Sequence, residues 1–171
     1  MKIFFMLLIA LFTSASTLPP VSHVDPQKFS GLWFEVARTY NDFEKNCVAA
    51  TVEYTLTKDK QYEVTNRCFD RVIGGDLITY KGTAAALLPN NVSKLKMTYF
   101  WVFSRDYYVV YLDESYSHAV IVDPDMKQVW IMSRTPILSK PKLDRVLTLL
   151  TNAMDTKRLI FTPQDKQGRY Q

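Results

Sequence analysis

The sequence from residue 50 to residue 67 reads ATVEYTLTKDKQYEVTNR. Apolar and polar side chains alternate over 50–56, and the same period of two returns over 62–67. The charged residues 58–60 lie between the two runs and are typical of a turn. Strict alternation is the pattern of a strand with one buried face, so this stretch predicts an antiparallel β-hairpin.

The period of two continues on both sides of this hairpin. Turn-forming residues separate further alternating runs at 33–39, 77–87, 93–104, 106–112, 118–122 and 128–133. The sequence therefore predicts an all-β fold of eight consecutive strands. Closing such a meander into an antiparallel up-and-down β-barrel removes its two exposed edges. A short final strand is expected at 158–162.

One segment near the C-terminus has helical spacing instead. Its apolar side chains are Leu143, Val146, Leu147, Leu150 and Met154. This spacing predicts one amphipathic helix over 140–154, with Ser139 as the N-cap and a proline in the first turn. Because the polar face is not strongly basic, we expect the apolar stripe to dock on the outside of the barrel rather than on a membrane.

The first residues resemble a secretory signal peptide. Lys2 is followed by an apolar run at 3–12 and by small residues before a cut after Ser16. The run is too short to span a bilayer. We therefore expect a signal peptide at 1–16, an extended lead at 17–28 and one domain at 29–171. The protein would be exported, periplasmic in a bacterium and otherwise secreted. No cysteine follows the apolar run to carry a lipid anchor.

Composition excludes several classes of partner and cofactor. The formal net charge of the whole chain is +4, and the basic residues are scattered, so nucleic acid is not an expected partner. Weak attraction to a membrane surface stays open, as does a homodimer. Two isolated histidines cannot build a metal site, and five glycines provide no phosphate-binding loop. We expect neither a metal nor a cofactor.

The two cysteines leave two alternatives open. An oxidising compartment favours a disulfide between Cys47 and Cys68. Alternation, however, places Cys47 on the outer face and Cys68 on the inner face of adjacent strands. Without a bulge, side chains on opposite faces cannot meet. A disulfide and two separate thiols are therefore both compatible with the sequence.

The predicted inner face indicates a binding cavity. An eight-stranded barrel can hold either a packed core or one small ligand. Literal alternation also turns Trp33, Cys68, Ile78, Ala84, Leu95, Tyr111 and Ala119 inward. The residues that we expect to contact a ligand are Glu35, Ala37, Val64, Asn66, Tyr80, Met97, Tyr99, Tyr107, Val109, Ile121, Trp130 and Met132. They combine apolar area with a few polar groups, as an amphipathic ligand requires. A filled barrel is the alternative.

Three segments resemble the signatures of the lipocalin family. They are FSGLWFEVAR at 29–38, LDESYSHAVIV at 112–122 and VWIMSRTP at 129–136. The likeness is greatest to the bacterial outer-membrane lipocalins, in the branch that includes apolipoprotein D. It implies binding, transport or storage of a small hydrophobic ligand such as a fatty acid or lysophospholipid. From the residues themselves we expect no catalytic activity, because no catalytic motif is recognisable. It also implies that Trp33 and Arg134 close the barrel floor as structural residues.

An isomerase-like lipocalin enzyme is the alternative function. It would require Cys68 to be a free thiol facing the cavity. On the carrier hypothesis, the acyl chain lies against Met97, Val109, Ile121 and Met132. The charged head then stays near the open end, because deep placement would bring it beside Glu35.

Overall fold

A computed structural model describes residues 17–167, so the signal peptide expected at 1–16 lies outside the described residues. The strands are β1 (Gly31–Thr39), β2 (Cys47–Leu56), β3 (Tyr62–Asp70), β4 (Leu77–Leu88), β5 (Asn91–Tyr99), β6 (Phe103–Leu112), β7 (His118–Val122), β8 (Val129–Ser133) and β9 (Leu159–Phe161). Two α-helices, α1 (Pro26–Phe29) and α2 (Lys140–Thr151), and a 3₁₀ turn (Thr156–Arg158) complete the fold.

The first eight strands form the predicted closed barrel. Each pairs in antiparallel fashion with the next, and β1 pairs with both β2 and β8. The four loops at 40–46, 71–76, 100–102 and 123–128 lie at one end, which we call the mouth. The opposite end is the floor.

The ninth strand completes the wall at the mouth half of β1. Pairing between β1 and β2 covers only Gly31 to Phe34, after which β9 pairs with Ala37 to Thr39. Beyond β9, the Gln164 amide donates to the backbone oxygens of Glu35 (2.6 Å) and Ala50 (2.8 Å). The C-terminal segment therefore bridges the opening between β1 and β2.

The N-terminal lead closes the floor and is not wholly extended. Residues 26–29 form the single turn of α1, whose N-cap Asp25 accepts a hydrogen bond from the Lys28 N–H (2.9 Å). Val24 and Phe29 are fully buried in the barrel core, and the Val24 N–H donates to Asn91 Oδ1 (2.9 Å). Because Val24 belongs to this core, the packed domain begins before residue 29.

The helix α2 packs outside the barrel as predicted. It ends at Thr151 rather than at 154, and Ser139 occupies the N-cap position without a side-chain capping bond. Val146 and Leu150 are buried among the outward-facing residues of β7 and β8. Among residues 17–167, no helix combines the length and the apolar character that a membrane crossing requires.

One turn lies elsewhere than the sequence predicted. The strands expected at 93–104 and 106–112 would meet at Arg105, whereas the chain actually turns at 100–102. Phe100 and Trp101 both have positive φ angles there, 51° and 64°. Bulky apolar residues rarely adopt this conformation, and the turn contains none of the Gly, Asn or Pro residues that usually indicate one. The sequence therefore does not reveal a turn at 100–102.

Two β-bulges reverse the predicted facing of two residues. On β1, Glu35 pairs with Met132 but Ala37 already pairs with Ile131, so β1 contains one extra residue. A corresponding shift on β6 separates Val109 from Tyr111. Since an extra residue moves the following side chain to the other face, Ala37 and Tyr111 lie in the outer cluster beneath α2. Their predicted inward orientation is wrong.

A third bulge decides the state of the cysteines. On β2, Val48 pairs with Phe69 and Thr51 with Arg67, which leaves one extra residue between them. Cys47 and Cys68 consequently share a face and form a disulfide, with their Cα atoms 5.3 Å apart. The alternative of two separate thiols is wrong. Cys68 therefore does not present the free thiol that the isomerase-like alternative required.

Candidate functional site

The mouth half of the barrel contains a cavity of about 640 Å³. Its wall consists of Glu35, Tyr40, Asn41, Asp42, Phe43, Glu44, Thr51, Val52, Tyr54, Asn66, Tyr80, Met97, Tyr99, Phe100, Val102, Phe103, Ser104, Arg105, Tyr107, Ile121, Gln128, Trp130 and Met132. The floor half is filled instead by large buried side chains, among them Trp33, Phe29, Tyr62 and Leu95. The barrel is therefore packed below and hollow above.

Nine of the twelve residues expected to contact a ligand line this cavity. They are Glu35, Asn66, Tyr80, Met97, Tyr99, Tyr107, Ile121, Trp130 and Met132. Val64 and Val109 face inward but belong to the packed floor, and Ala37 lies outside the barrel. Neither cysteine is part of the cavity wall, because both pack with Ala50 and Ile78 in a separate cluster.

Wall residues on β2, in the mouth loops and at the start of β6 were not predicted from the sequence. Val52 and Tyr54 on β2 follow the alternation of the opening hairpin, so the existing pattern could have identified them. The wall residues at 40–44, Phe100, Val102 and Gln128 lie in mouth loops, which have no periodicity to reveal their direction. Their contribution depends on how the loops fold over the mouth. The wall residues at 103–105 lie at the start of β6, directly after a turn that the sequence placed elsewhere.

The polar groups on the wall are mostly uncharged. Asn66 Nδ2 donates to the Tyr99 hydroxyl (2.7 Å), and the rings of Tyr107 and Trp130 meet edge to face at 5.4 Å. Burial raises the pKa of Tyr54 and Tyr99, so both hydroxyls stay protonated at neutral pH. The wall offers apolar surface with a few hydrogen-bonding groups, which suits a ligand of mixed polarity.

A buried cluster of two carboxyl groups and one guanidinium lies where β1 meets the C-terminal segment. Arg38 donates to Glu35 Oε1 (2.7 Å) and to the hydroxyl of Thr162 (3.0 Å). Its Nε atom is 4.0 Å from Glu44 Oε2, which in turn accepts a hydrogen bond from Trp130 Nε1 (3.1 Å). One cation thus faces two carboxyl groups, of which Glu35 is almost wholly buried and Glu44 is 19% exposed.

This arrangement favours a proton on Glu35. Complete burial and the negative charge of Glu44 raise the pKa of Glu35 to about 8, against the opposing effects of Arg38 and Thr162. The unfolded chain would release that proton near pH 4.5. The folded protein therefore holds more protons than the unfolded chain across this interval.

We expect the free energy of unfolding to fall as the pH rises from about 4.5 to about 8, because ionising Glu35 in the folded state is unfavourable. In Glu35→Gln, whose side chain carries no titratable proton, this decrease should be much smaller. Denaturant unfolding at several pH values measures both slopes.

Glu53→Gln provides the control, since Glu53 pairs with Arg67 (2.9 Å) in a partly exposed position on the barrel wall. It should retain the wild-type slope. Identical pH profiles for wild type and Glu35→Gln would show that Glu35 is not the titrating group.

Arg134, which the lipocalin resemblance assigns to the floor with Trp33, connects the segments at this end of the barrel. The guanidinium lies 3.8 Å from the centre of the indole ring. It also donates to the backbone oxygens of Lys28 (2.8 Å), Ser30 (2.8 Å) and Leu32 (2.8 Å). These contacts join β8 to the segment that enters β1, opposite the cavity.

The polar side chains of the cavity wall are carboxyl, amide, hydroxyl, indole and guanidinium groups. Of the described residues that line it, none is Cys, His or Lys. Within residues 17–167, no group of three or more His, Cys, Asp or Glu side chains is arranged to hold a metal ion.

Comparison with known proteins agrees with this architecture. The family model described as a lipocalin-like domain matches residues 24–164. Outer membrane lipoprotein Blc of Vibrio cholerae is 31% identical over 150 residues, covering 86% of this chain and 87% of that protein. Apolipoprotein D of Macaca fascicularis is 28% identical over 159 residues, covering 87% and 82%.

A solved structure shares the fold at lower identity. Insecticyanin from the tobacco hornworm Manduca sexta superposes with a TM-score of 0.71 at 21% identity, covering 91% of this chain and 88% of that one. At this identity, the likeness concerns the fold alone. The signature segments, the barrel with its outer helix and the match over 24–164 agree. This chain is a member of the lipocalin family.

Proposed function

We propose that the protein binds and carries a fatty acid or a lysophospholipid, with the acyl chain inside the barrel. Lipocalins bind small hydrophobic ligands. The observation that supports an acyl ligand here is the cavity of about 640 Å³, which opens at the mouth and is floored by packed apolar side chains. That volume lies within the usual range for small-molecule sites.

The residues of the cavity wall support a position of the acyl chain deep in the barrel. Met97, Ile121 and Met132 line the cavity and also belong to the buried core cluster. A charged head beside them would lose its hydration without gaining a cation, because Arg38 is not part of the described cavity wall and Arg105 lies at the mouth. Burying methylene groups against the same surface is favourable.

The residues at the mouth support a position of the charged head of the ligand at the open end of the cavity. Arg105 is the only basic residue among the described residues of the cavity wall, and its side chain is more than half exposed. Its guanidinium is 3.5 Å from Asp123, so it can approach a second anion while remaining hydrated. A carboxylate or a phosphate is the group that such an arginine binds.

We further propose that the protein acts by binding rather than catalysis, and that it is exported. The bonded state of Cys68 and the absence of Cys, His and Lys from the described wall favour binding. The disulfide favours an oxidising compartment. Two similar proteins, outer membrane lipoprotein Blc of Vibrio cholerae and of Escherichia coli, are named for the outer membrane, which also favours export.

The test is displacement of a fluorescent apolar probe by saturated fatty acids of increasing length. Each added methylene should improve affinity by up to about fourfold until the cavity is full, because its burial is worth about 0.8 kcal/mol. If the wild type binds neither probe nor acid, or if affinity does not depend on length, the proposal fails.

Arg105→Gln tests the position of the head in the same assay. It should weaken binding of the free acids by about tenfold or less and leave the matching methyl esters unchanged, since the esters have no charge to pair. Lys96→Gln serves as the control because Lys96 lies on β5 nearby but outside the cavity wall. Equal losses for acids and esters would contradict a head at Arg105.

A further inference from the structure

The exposed apolar side chains of this protein gather around the mouth. Among residues 17–167, thirteen large hydrophobic residues are exposed, and eight of them lie at this end. We call these eight the apolar rim: Tyr40, Phe43, Val72, Leu77, Phe100, Trp101, Val102 and Phe103. Scattered exposed apolar residues are ordinary, whereas a concentration at one end marks an interaction surface.

The hairpin between β5 and β6 is the most prominent part of the rim. Trp101 is 95% exposed and Val102 is 73% exposed. The Val102 N–H donates to the Tyr99 oxygen (3.3 Å), and both residues between them have positive φ. Asn and Gly are the usual residues at such positions. Phe100 and Trp101 are strained in this turn, and Trp101 gains almost no burial in return.

The rim is continuous with the cavity wall. The ring of Tyr80 meets Phe43 on one side and Phe100 on the other, each at 6.2 Å between centroids. Phe100, Val102 and Phe103 also line the cavity. Apolar surface therefore runs from the interior of the barrel to the tip of the hairpin.

The charges around the mouth indicate the nature of the partner. The four mouth loops contain three basic and five acidic residues, a formal net charge of −2. Such an end would be repelled by a strongly anionic surface. Arg105 and Lys96 lie behind the tip on the paired strands, Arg105 two residues beyond Phe103, or about 7 Å along the strand. From the tip of the hairpin into its paired strands, the side chains are thus first apolar and then polar.

We propose that the apolar rim docks on the surface of a zwitterionic phospholipid bilayer, with Trp101 inserted at the level of the headgroups. Tryptophan favours this interface, and an apolar surface is typically buried there to a depth of about 5–10 Å. Arg105 and Lys96 then remain in the polar layer. The choice of a bilayer rests in part on the proposed function, because an acyl ligand resides in such a layer and would pass through the rim.

Flotation with phosphatidylcholine vesicles tests the docking. The wild type should bind the vesicles, and binding should persist at about 1 M NaCl, where the screening length is about 3 Å. The double variant Trp101→Ser/Val72→Ser should bind at least about tenfold more weakly, since two apolar contacts are lost. Neither residue lines the cavity.

A matched variant at the floor end provides the control. Leu87→Ser/Ile137→Ser also removes two exposed apolar side chains outside the cavity wall and should bind vesicles like the wild type. Both variants should retain probe affinity within about twofold, because the cavity is unchanged.

Several outcomes would overturn the docking. They are no vesicle binding by the wild type, equal losses in both double variants, and loss of binding in salt. If the wild type does not bind vesicles but forms a dimer, and Trp101→Ser dissociates that dimer, the rim would instead be the interface with a second copy of the chain. Vesicle binding by a protein that takes up no acyl probe would leave the docking intact and refute the proposed ligand.

Discussion

Arg134→Ala should lower the free energy of unfolding by about 3–4 kcal/mol, because several charge-assisted hydrogen bonds and a cation–π contact are lost together. The guanidinium donates to Lys28, Phe29, Ser30 and Leu32 and lies against the Trp33 ring. Burial lowers its pKa only to about 10, so the group is protonated at neutral pH. The melting temperature should fall by about 10 °C.

Two further variants test whether the loss of stability is specific to the guanidinium of Arg134. Arg134→Lys should recover less than half of the lost stability, since an ammonium group cannot contact several carbonyls in one plane and stack at the same time. Arg158→Ala removes an exposed arginine that donates to the Lys127 oxygen (3.1 Å), and should change stability by less than about 1 kcal/mol. Chemical denaturation gives all three values. A loss below about 1 kcal/mol in Arg134→Ala would mean that the floor closes without it.

Met132→Trp should weaken the binding of long acyl chains far more than that of short ones. Met132 is buried and lines the cavity, where it pairs with Glu35 on β1. A larger side chain there displaces the end of the chain first. Excluding two or three methylenes removes about 1.6–2.4 kcal/mol, which is a loss of about 15–60-fold for long chains. Acids too short to reach Met132 should be unaffected.

The probe-displacement series measures this length dependence, with Ile137→Trp as the control. Ile137 is exposed and outside the cavity wall, so an indole there should change no affinity. Ala37→Trp, which alternation alone would recommend, would instead press against the outer cluster beneath α2. If Met132→Trp weakens all chain lengths equally, the acyl tail does not occupy the depth of this cavity.

Of the residues predicted to contact a ligand, some line the cavity and others do not, for two structural reasons. Asn66, Met97 and Ile121 line the cavity as alternation predicts. Ala37 follows an extra residue on β1 and faces outward. Val64 and Val109 face inward, but the N-terminal lead fills the space around them with Val24 and Phe29. Alternation along a strand indicates which face of the sheet a side chain lies on, and it is a local property of the sequence. Whether that side chain lines the cavity or packs in the floor depends on segments that are distant in the sequence.

The sequence by itself determined the order of the strands, the closure of the barrel, the position of α2 and the family. These follow from the period of two, the period of 3.6 and three signature segments, all of which are written in neighbouring residues. The disulfide, the pairing of β9 with β1 and the apolar rim were decided only in the folded protein. A bulge is an extra residue in one strand opposite its partner strand, so it depends on both strands. The direction of a loop depends on the elements that it joins. Cys47 therefore meets Cys68 because β2 gains one residue against β3, a difference that neither strand's own sequence displays.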